Sequence, residues 1–257
     1  MSGINFFSDN YVDNAVMSIT TGAENTQFPL GNLQNESPSN KFRSTGNTVV
    51  IQLDLSTTRT IDTIAVVGDP TGTFGVTAMS VNTSVTTDFS LSTANAISLS
   101  SEHNIGYSFI TSVSHRFVEI TLTGTGSYSE MSNIFVGEKI NLSQNSLSLG
   151  TFRYGYKDKS TIRRNRYGQS FIDTRNLQKF LAGTLEYCTK DEQEELDDMF
   201  IRHSRNKPIW MVIDPDSEAI NEGQFKLATY GYLEESPRWS ATGGQTYNAA
   251  LRILGAV

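Results

Sequence analysis

Cysteine, histidine and long apolar runs are what this chain has least of. Cys188 is its one cysteine, so no internal disulfide framework forms and no cysteine-based zinc site can be built. The three histidines, His103, His115 and His203, lie in separate segments without metal-ligand spacing. Structural or surface roles are expected of them, and neither a metal nor a cofactor is expected of the chain. No stretch reaches the ~18 apolar residues that a membrane helix needs. The first residues, MSGINFFSDNYVDN, carry neither a basic head nor an apolar run. The expectation is a chain without secretion signal or membrane insertion, made in a cytosol, where the sequons at Asn35, Asn82 and Asn141 stay unmodified.

Phosphate-binding and calcium-binding patterns are missing as well. The glycines of TGTGS and GTFG precede no helix and no Lys-Ser/Thr pair, so loops explain them better than a phosphate cradle. DPDSE at Asp214–Glu218 contains Pro215 and is followed by Ala219, without the glycine that a calcium loop needs for its sharp turn. A carboxylate-rich turn is expected there. Nowhere do a nucleophile, a base and an orienting group come together, which argues against an enzyme.

What the chain does have is the composition of a turn-rich β protein. Of its 257 residues 37% are hydrophobic and 18% charged, and 20 are glycine. At roughly 100–200 residues per domain the length suits two. Charge divides them: residues 1–150 hold five basic against twelve acidic side chains, the whole net charge of −7, whereas the remainder is neutral. The division falls on NLSQNSLSLG, Asn141–Gly150, polar and serine-rich as a connector should be. The expected organisation is a β-sandwich over 1–141, a linker over 142–150 and a second β domain over 151–257.

In the first domain VVIQLDL places Val49, Ile51, Leu53 and Leu55 on one face and Gln52 and Asp54 on the other, the period of a half-buried strand. IDTIAVVGDP repeats the idea with Ile64 and Val66 and stops at Gly68-Asp69-Pro70. RFVEITLTG sends Val118, Ile120 and Leu122 inward, and NIFVGEKI supplies a closing strand. No long amphipathic helix is available to cross between these strands, so a sandwich is expected rather than a parallel sheet. Residues 71–114 are too polar to assign strand by strand. The succession NLQNESPSNKFRST, VVIQLDLSTTRTIDTIAVVGD, HRFVEITLTG and SNIFVGEKI resembles the discoidin-type, galactose-binding-like jelly roll over roughly Asn32–Ile140. Phe42 stands where a Trp is common, and the cysteine pair of many secreted members is absent. A glycan site in such a sandwich would set aromatic platforms beside polar loop residues, and the candidates for glycan or partner contacts are Phe42, Arg43, Asp69, Phe74 and Tyr128. Filling of the core is the competing role for the aromatics.

The second domain opens on FRYGYKDKSTIRRNRYGQSFI, which reads as two strands around a turn at Asp158-Lys159-Ser160. Phe152, Tyr154 and Tyr156 share one face, and Arg153 and Lys157 the other. After FLAGTLEYC, where Cys188 reads as a small buried residue, a helix is expected from about Lys190 to about Ser204. Thr189 and Glu192 form a capping box, and Asp191, Glu192, Glu194 and Glu195 sit near the positive end of the dipole. Leu196, Met199 and Phe200 make the apolar stripe, Arg202, His203 and Arg205 favour the other end, and Pro208 stops the helix. PIWMVIDP reads as a buried strand, followed by strands in FKLATYGYLEES and TYNAALRIL. This order of elements resembles the tail-tube-like, distal-tail-like domains of bacteriophage tail and baseplate proteins over roughly Thr151–Val257. The resemblance implies a non-enzymatic virion structural protein, located in the tail and assembled in the host cytoplasm. Its C-terminal domain would join copies of itself in a ring or adaptor and meet other phage tail proteins. The sandwich would point outward, where tail fibres or a host-surface glycan could be held. A carbohydrate-binding adhesin is the alternative.

The basic stretch that opens the second domain has three readings. Arg153, Tyr154, Tyr156, Lys157, Arg163, Arg164, Arg166 and Tyr167 offer cations and rings to a nucleic acid, a plain solvated hairpin, or a surface that meets another subunit. The rest of the chain is acidic or neutral and holds no nucleic-acid module, so no sequence-specific nucleic-acid partner is expected. Subunit interface is the expectation carried forward, with the acidic helix face and Glu234-Glu235 as complementary surfaces.

Overall fold

The structure is a computed structural model that describes residues 4–7, 9–68, 75–90, 92, 94–124, 126–142, 151–174, 177–203, 206–213 and 225–256. The chain is mainly β, and one α-helix stands among the described residues. The first eleven strands are β1 (Ile4–Phe7), β2 (Val16–Thr21), β3 (Phe42–Arg43), β4 (Thr48–Val67), β5 (Val76–Ser84), β6 (Asn95–Ala96), β7 (Ser98–Ser100), β8 (Ile105–Gly124), β9 (Glu130–Met131), β10 (Asn133–Gly137) and β11 (Lys139–Asn141). The remainder forms β12 (Arg153–Asp158), β13 (Thr161–Arg164), β14 (Ser170–Asp173), β15 (Leu177–Cys188), α1 (Lys190–His203), β16 (Ile209–Ile213), β17 (Ala228–Leu233), β18 (Trp239–Gly243) and β19 (Thr246–Gly255).

Two long strands build the N-terminal sandwich. The first half of β4 pairs with β2 and with the second half of β8, which in turn pairs with β5; the second half of β4 pairs with β10 and with the first half of β8, which pairs with β7. Each long strand therefore serves both layers, and the register breaks between Asp54 and Arg59 mark where they pass across. At that corner Ser56 adopts φ 66°, its N–H donates to Asp54 Oδ1 at 2.8 Å, and Arg116 grips the same carboxylate at 2.6 and 2.7 Å. Val49, Ile51, Leu53, Leu55, Ile64, Val66, Val118, Ile120 and Leu122 all point into the core, as their period requires. The unassigned polar segment 71–114 contains β5, β6, β7 and the start of β8. Its strands are Ser/Thr/Asn-rich because one face is wet, while Val76, Met79 and Val81 supply the buried face.

The C-terminal unit is an eight-stranded antiparallel sheet in the order β11-β1-β16-β17-β19-β15-β12, with β18 added to β19. The expected boundary at residue 141 does not coincide with the boundary between sheets. β1 lies between β11 and β16, with Ile4 opposite Ile213 and Phe7 opposite Trp210. β1 thus belongs to the second sheet, the chain after it makes the sandwich, and it returns through β11. Of the linker expected over 142–150, residues 143–150 lie outside the described residues, and Leu142 is buried with the second sheet.

One face of this sheet packs on α1. Thr189 N–H donates to Glu192 Oε2 at 2.7 Å and Glu192 N–H to Thr189 Oγ1 at 3.3 Å, the reciprocal capping expected of these residues. Leu196, Met199 and Phe200 bury against Phe6, Leu181, Leu185, Cys188, Met211 and Ile253. The opposite face packs on the outside of the sandwich. Phe7, Trp210, Val212, Ala228 and Tyr230 meet Ala65, Val67, Ile105, Tyr107 and Phe135. Phe7 stacks on Trp210 at 5.6 Å and lies 5.2 Å from Phe135; Trp210 lies 5.3 Å from Tyr230 and Tyr107 5.4 Å from Phe225. Full burial of one such side chain contributes about 1.5–3 kcal/mol, so this seam binds the two units into one body. It also explains the unbroken apolar runs IAVV and IWMVI, whose strands are covered on both faces.

Candidate functional site

The basic stretch forms a long two-stranded arm. β12 does not pair with β13, as the turn expected at Asp158-Lys159-Ser160 would require. β12 pairs with β15, from Arg153 opposite Ala182 to Asp158 opposite Leu177, and β13 pairs with β14, from Thr161 opposite Asp173 to Arg164 opposite Ser170. Asp158 Oδ1 accepts the Ser160 N–H at 2.8 Å, a local bond between β12 and β13 where the chain does not reverse. The chain reverses at Asn165–Gln169 instead. There Asn165 Oδ1 accepts from the Tyr167 and Gln169 N–H groups, both at 3.0 Å, and Gly168 takes the left-handed φ of 80° that side chains other than glycine resist. Arg153–Gly155 stand opposite Phe180–Ala182, which pair onward with β19, so the free part runs from Tyr156 to the tip, about 11 residues at ~3.3 Å each or roughly 35 Å.

All eight residues expected at the subunit interface lie on this arm, and all are exposed. Phe152 stacks with Tyr154 at 6.3 Å, the shared face read from their spacing. Four apolar side chains were not singled out by sequence. Ile162 is 66% exposed, Phe171 59%, Ile172 64% and Leu177 56%. Ile162 sits directly opposite Ile172, and Arg163 opposite Phe171, so each face of the outer ribbon mixes apolar groups with cations. Among the described residues β13 and β14 pair with nothing but each other.

The candidate glycan residues separate. Phe42 is fully buried in the sandwich core, which corrects its placement among the loop contacts: in the two-residue strand β3, Phe42 points inward and Arg43 outward. Arg43 and Tyr128 do come together. The Arg43 guanidinium lies 4.3 Å from the Tyr128 ring and 4.6 Å from Phe28, and its Nε donates to Glu130 Oε2 at 2.6 Å. Lys41 Nζ reaches the other oxygen of Glu130 at 3.1 Å. Phe28, Lys41 and Glu130 are the residues of this corner that the sequence does not single out. Asp69, Phe74 and the segment Asp214–Glu218 lie outside the described residues.

Ionisable groups elsewhere line the edge of the seam. Asp9, Asp13 and Glu36 face Arg202, His203 and Lys207; Arg202 meets Asp9 at 3.1 Å and Lys207 meets Glu36 at 3.1 Å. Burial pushes the Asp13 carboxyl up to about 6 and holds the His203 imidazole below its usual value. Burial likewise lowers Lys179 to about 8, where its Nζ donates to the carbonyls of Phe225 and Ala228 at 2.9 and 2.6 Å. Cys188 is buried, and His115 bonds Thr83 Oγ1 at 2.8 Å through Nδ1. Among the described residues no group of three His, Cys, Asp or Glu side chains is placed to hold a metal ion.

No protein-family model matches this chain, and no curated protein matches it. Several solved structures are similar to about half of it. A fucose binding module of Streptococcus pneumoniae, SpX-3, matches over 51% of this chain and 98% of its own, at 11% identity and a TM-score of 0.43. The family 32 carbohydrate-binding module of Clostridium perfringens NanJ, in complex with galactose, matches over 51% and 98% at 12% identity and a TM-score of 0.42. A further module, CBM32-1 from a family 31 glycoside hydrolase of Clostridium perfringens, covers 51% of this chain and 99% of its own at 11% identity and a TM-score of 0.43.

Proposed function

We propose that this protein is a non-enzymatic structural subunit that assembles with copies of itself through the arm and presents the sandwich outward. The observation that carries the reading is the exposure of Ile162, Tyr167, Phe171 and Ile172 on a ribbon whose strands β13 and β14, among the described residues, pair only with each other. A two-stranded ribbon is marginal alone in water, and clustered exposed apolar groups on a sheet invite a partner. Flanking arginines then select which partner fits. A phage tail or baseplate, with its ring or adaptor, is the particle that the sequence resemblance implies.

Light scattering on the full chain tests this. The expected mass is a multiple of the single chain, and Ile162→Ser/Phe171→Ser/Ile172→Ser is expected to return it to a monomer. A full chain that stays monomeric across the micromolar range would sink the assembly reading.

A second reading, a carbohydrate-binding adhesin, draws on the corner where Arg43, Tyr128, Phe28, Lys41 and Glu130 set rings beside charged donors and an acceptor. Sugar recognition uses that combination. A glycan array should then show binding that Tyr128→Ala removes, and a blank array discards this reading.

A further inference from the structure

The charge of the arm is opposite to that of everything else in the chain. Between Arg153 and Asp173 stand six basic residues, Arg153, Lys157, Lys159, Arg163, Arg164 and Arg166, against Asp158 and Asp173. The rest of the chain holds fourteen basic against twenty-five acidic residues. The molecule is therefore a +4 arm on a −11 body. The arm's side chains are exposed on both faces of the ribbon, and Arg153 at its base shares a cleft with Glu234 and Glu235 of its own body, whereas Arg163, Arg164 and Arg166 stand on the outer ribbon and its tip.

We infer that the arm of one copy docks on the acidic body of a second copy and not on that copy's arm, so each subunit gives one arm and receives one. This rests on the assembly reading above. Two arms brought face to face through Ile162 and Ile172 would also set Arg164, which shares that face, against Arg164 of the other arm. Like charges opposed across an interface cost several kcal/mol. An arm laid on an acidic body meets attraction in place of repulsion, and the contact becomes head-to-tail, with two different surfaces.

Two measurements decide it. In the first, a tagged Ile162→Ser/Phe171→Ser/Ile172→Ser chain, whose body is intact, is mixed with untagged wild-type chain and recovered by its tag. Head-to-tail contact predicts that the tagged variant captures wild-type chain, because its body still receives a wild-type arm, while it captures no untagged copy of the same variant. Arm-to-arm contact predicts loss of capture in both mixtures, which would overturn the inference and leave the assembly reading standing. The second uses wild-type chain alone, so it does not depend on how the variant folds. Raising the salt shortens the range of charge interactions from about 10 Å at 0.1 M to about 3 Å at 1 M. Mass measured by light scattering should fall with salt if arm meets body, and a rise with salt overturns the inference. Wild-type chain that is monomeric by itself at every salt concentration, yet shifts on adding a random-sequence DNA duplex, overturns both this inference and the assembly reading.

Discussion

The seam and the arm use the same side chains in opposite surroundings. In the seam Phe7, Tyr107, Phe135, Trp210 and Tyr230 are buried against one another from two sheets. On the arm Tyr154, Tyr156, Tyr167 and Phe171 stand in water beside arginine and lysine. The seam is finished within one chain, and its aromatic area stabilises the monomer. The arm's rings stay more than half exposed, and what they add to the monomer is confined to contacts such as the stacking of Phe152 on Tyr154. Residue type alone does not tell a sealed ring from an exposed one.

The comparison breaks first at Trp210. Trp210→Ala removes the ring that touches Phe7 and Tyr230, and the cost is expected at about 3–5 kcal/mol, read as a fall in the urea midpoint. A loss under about 1 kcal/mol would mean that the seam does not hold the two units together. Next is Gly231 on β17, where a Cβ would lie 2.1 Å from the Leu254 carbonyl oxygen. Gly231→Ala must push β19 away from its neighbour, and a loss of about 1–3 kcal/mol is expected by thermal melting.

Smaller still is the effect at the rim. Burial, then the negative charges of Glu36 and Asp9, raise the Asp13 carboxyl to about 6, against the pull of Lys207 and the Asn10 hydrogen bond. A carboxyl raised on folding contributes stability that is full below its unfolded value of 3.8 and is lost as pH rises through about 6. Asp13→Asn should therefore match the parent most closely near pH 4 and exceed it above pH 7, in urea midpoints taken across that range. A difference that shrinks with rising pH would contradict the assignment. Smallest is the arm: Phe171→Ala or Ile172→Ala should change monomer stability by no more than about 0.5 kcal/mol while reducing the mass seen by light scattering. A large stability loss would show that the arm packs on its own body, erasing the contrast with the seam.

Much of the local structure was legible in advance because it depends on near neighbours in sequence. Val49, Ile51, Leu53 and Leu55 alternate, and the strand forms with those residues inward. Thr189 and Glu192 stand three apart, and the cap closes over a helix that runs Lys190–His203. The eight arm residues were singled out by their charge and rings, and they do share one ribbon. The apolar half of that ribbon was missed. Ile162, Phe171 and Ile172 look like any strand residues until their exposure is known. Phe42 failed in the opposite sense, because a two-residue strand has too little pattern to say which side is inward.

What the chain determined by itself was therefore its β character, the faces of its longer strands, the capped helix and the division of charge. These follow from periods of two and 3.6 residues and from bonds that span a few positions. Only the tertiary structure decided that β1 crosses into the second sheet, that β12 pairs with β15, and that one set of aromatic rings is sealed while another faces water. Each of those rests on contacts between residues far apart in the chain, where many pairings satisfy the same alternation and packing against a distant surface selects one.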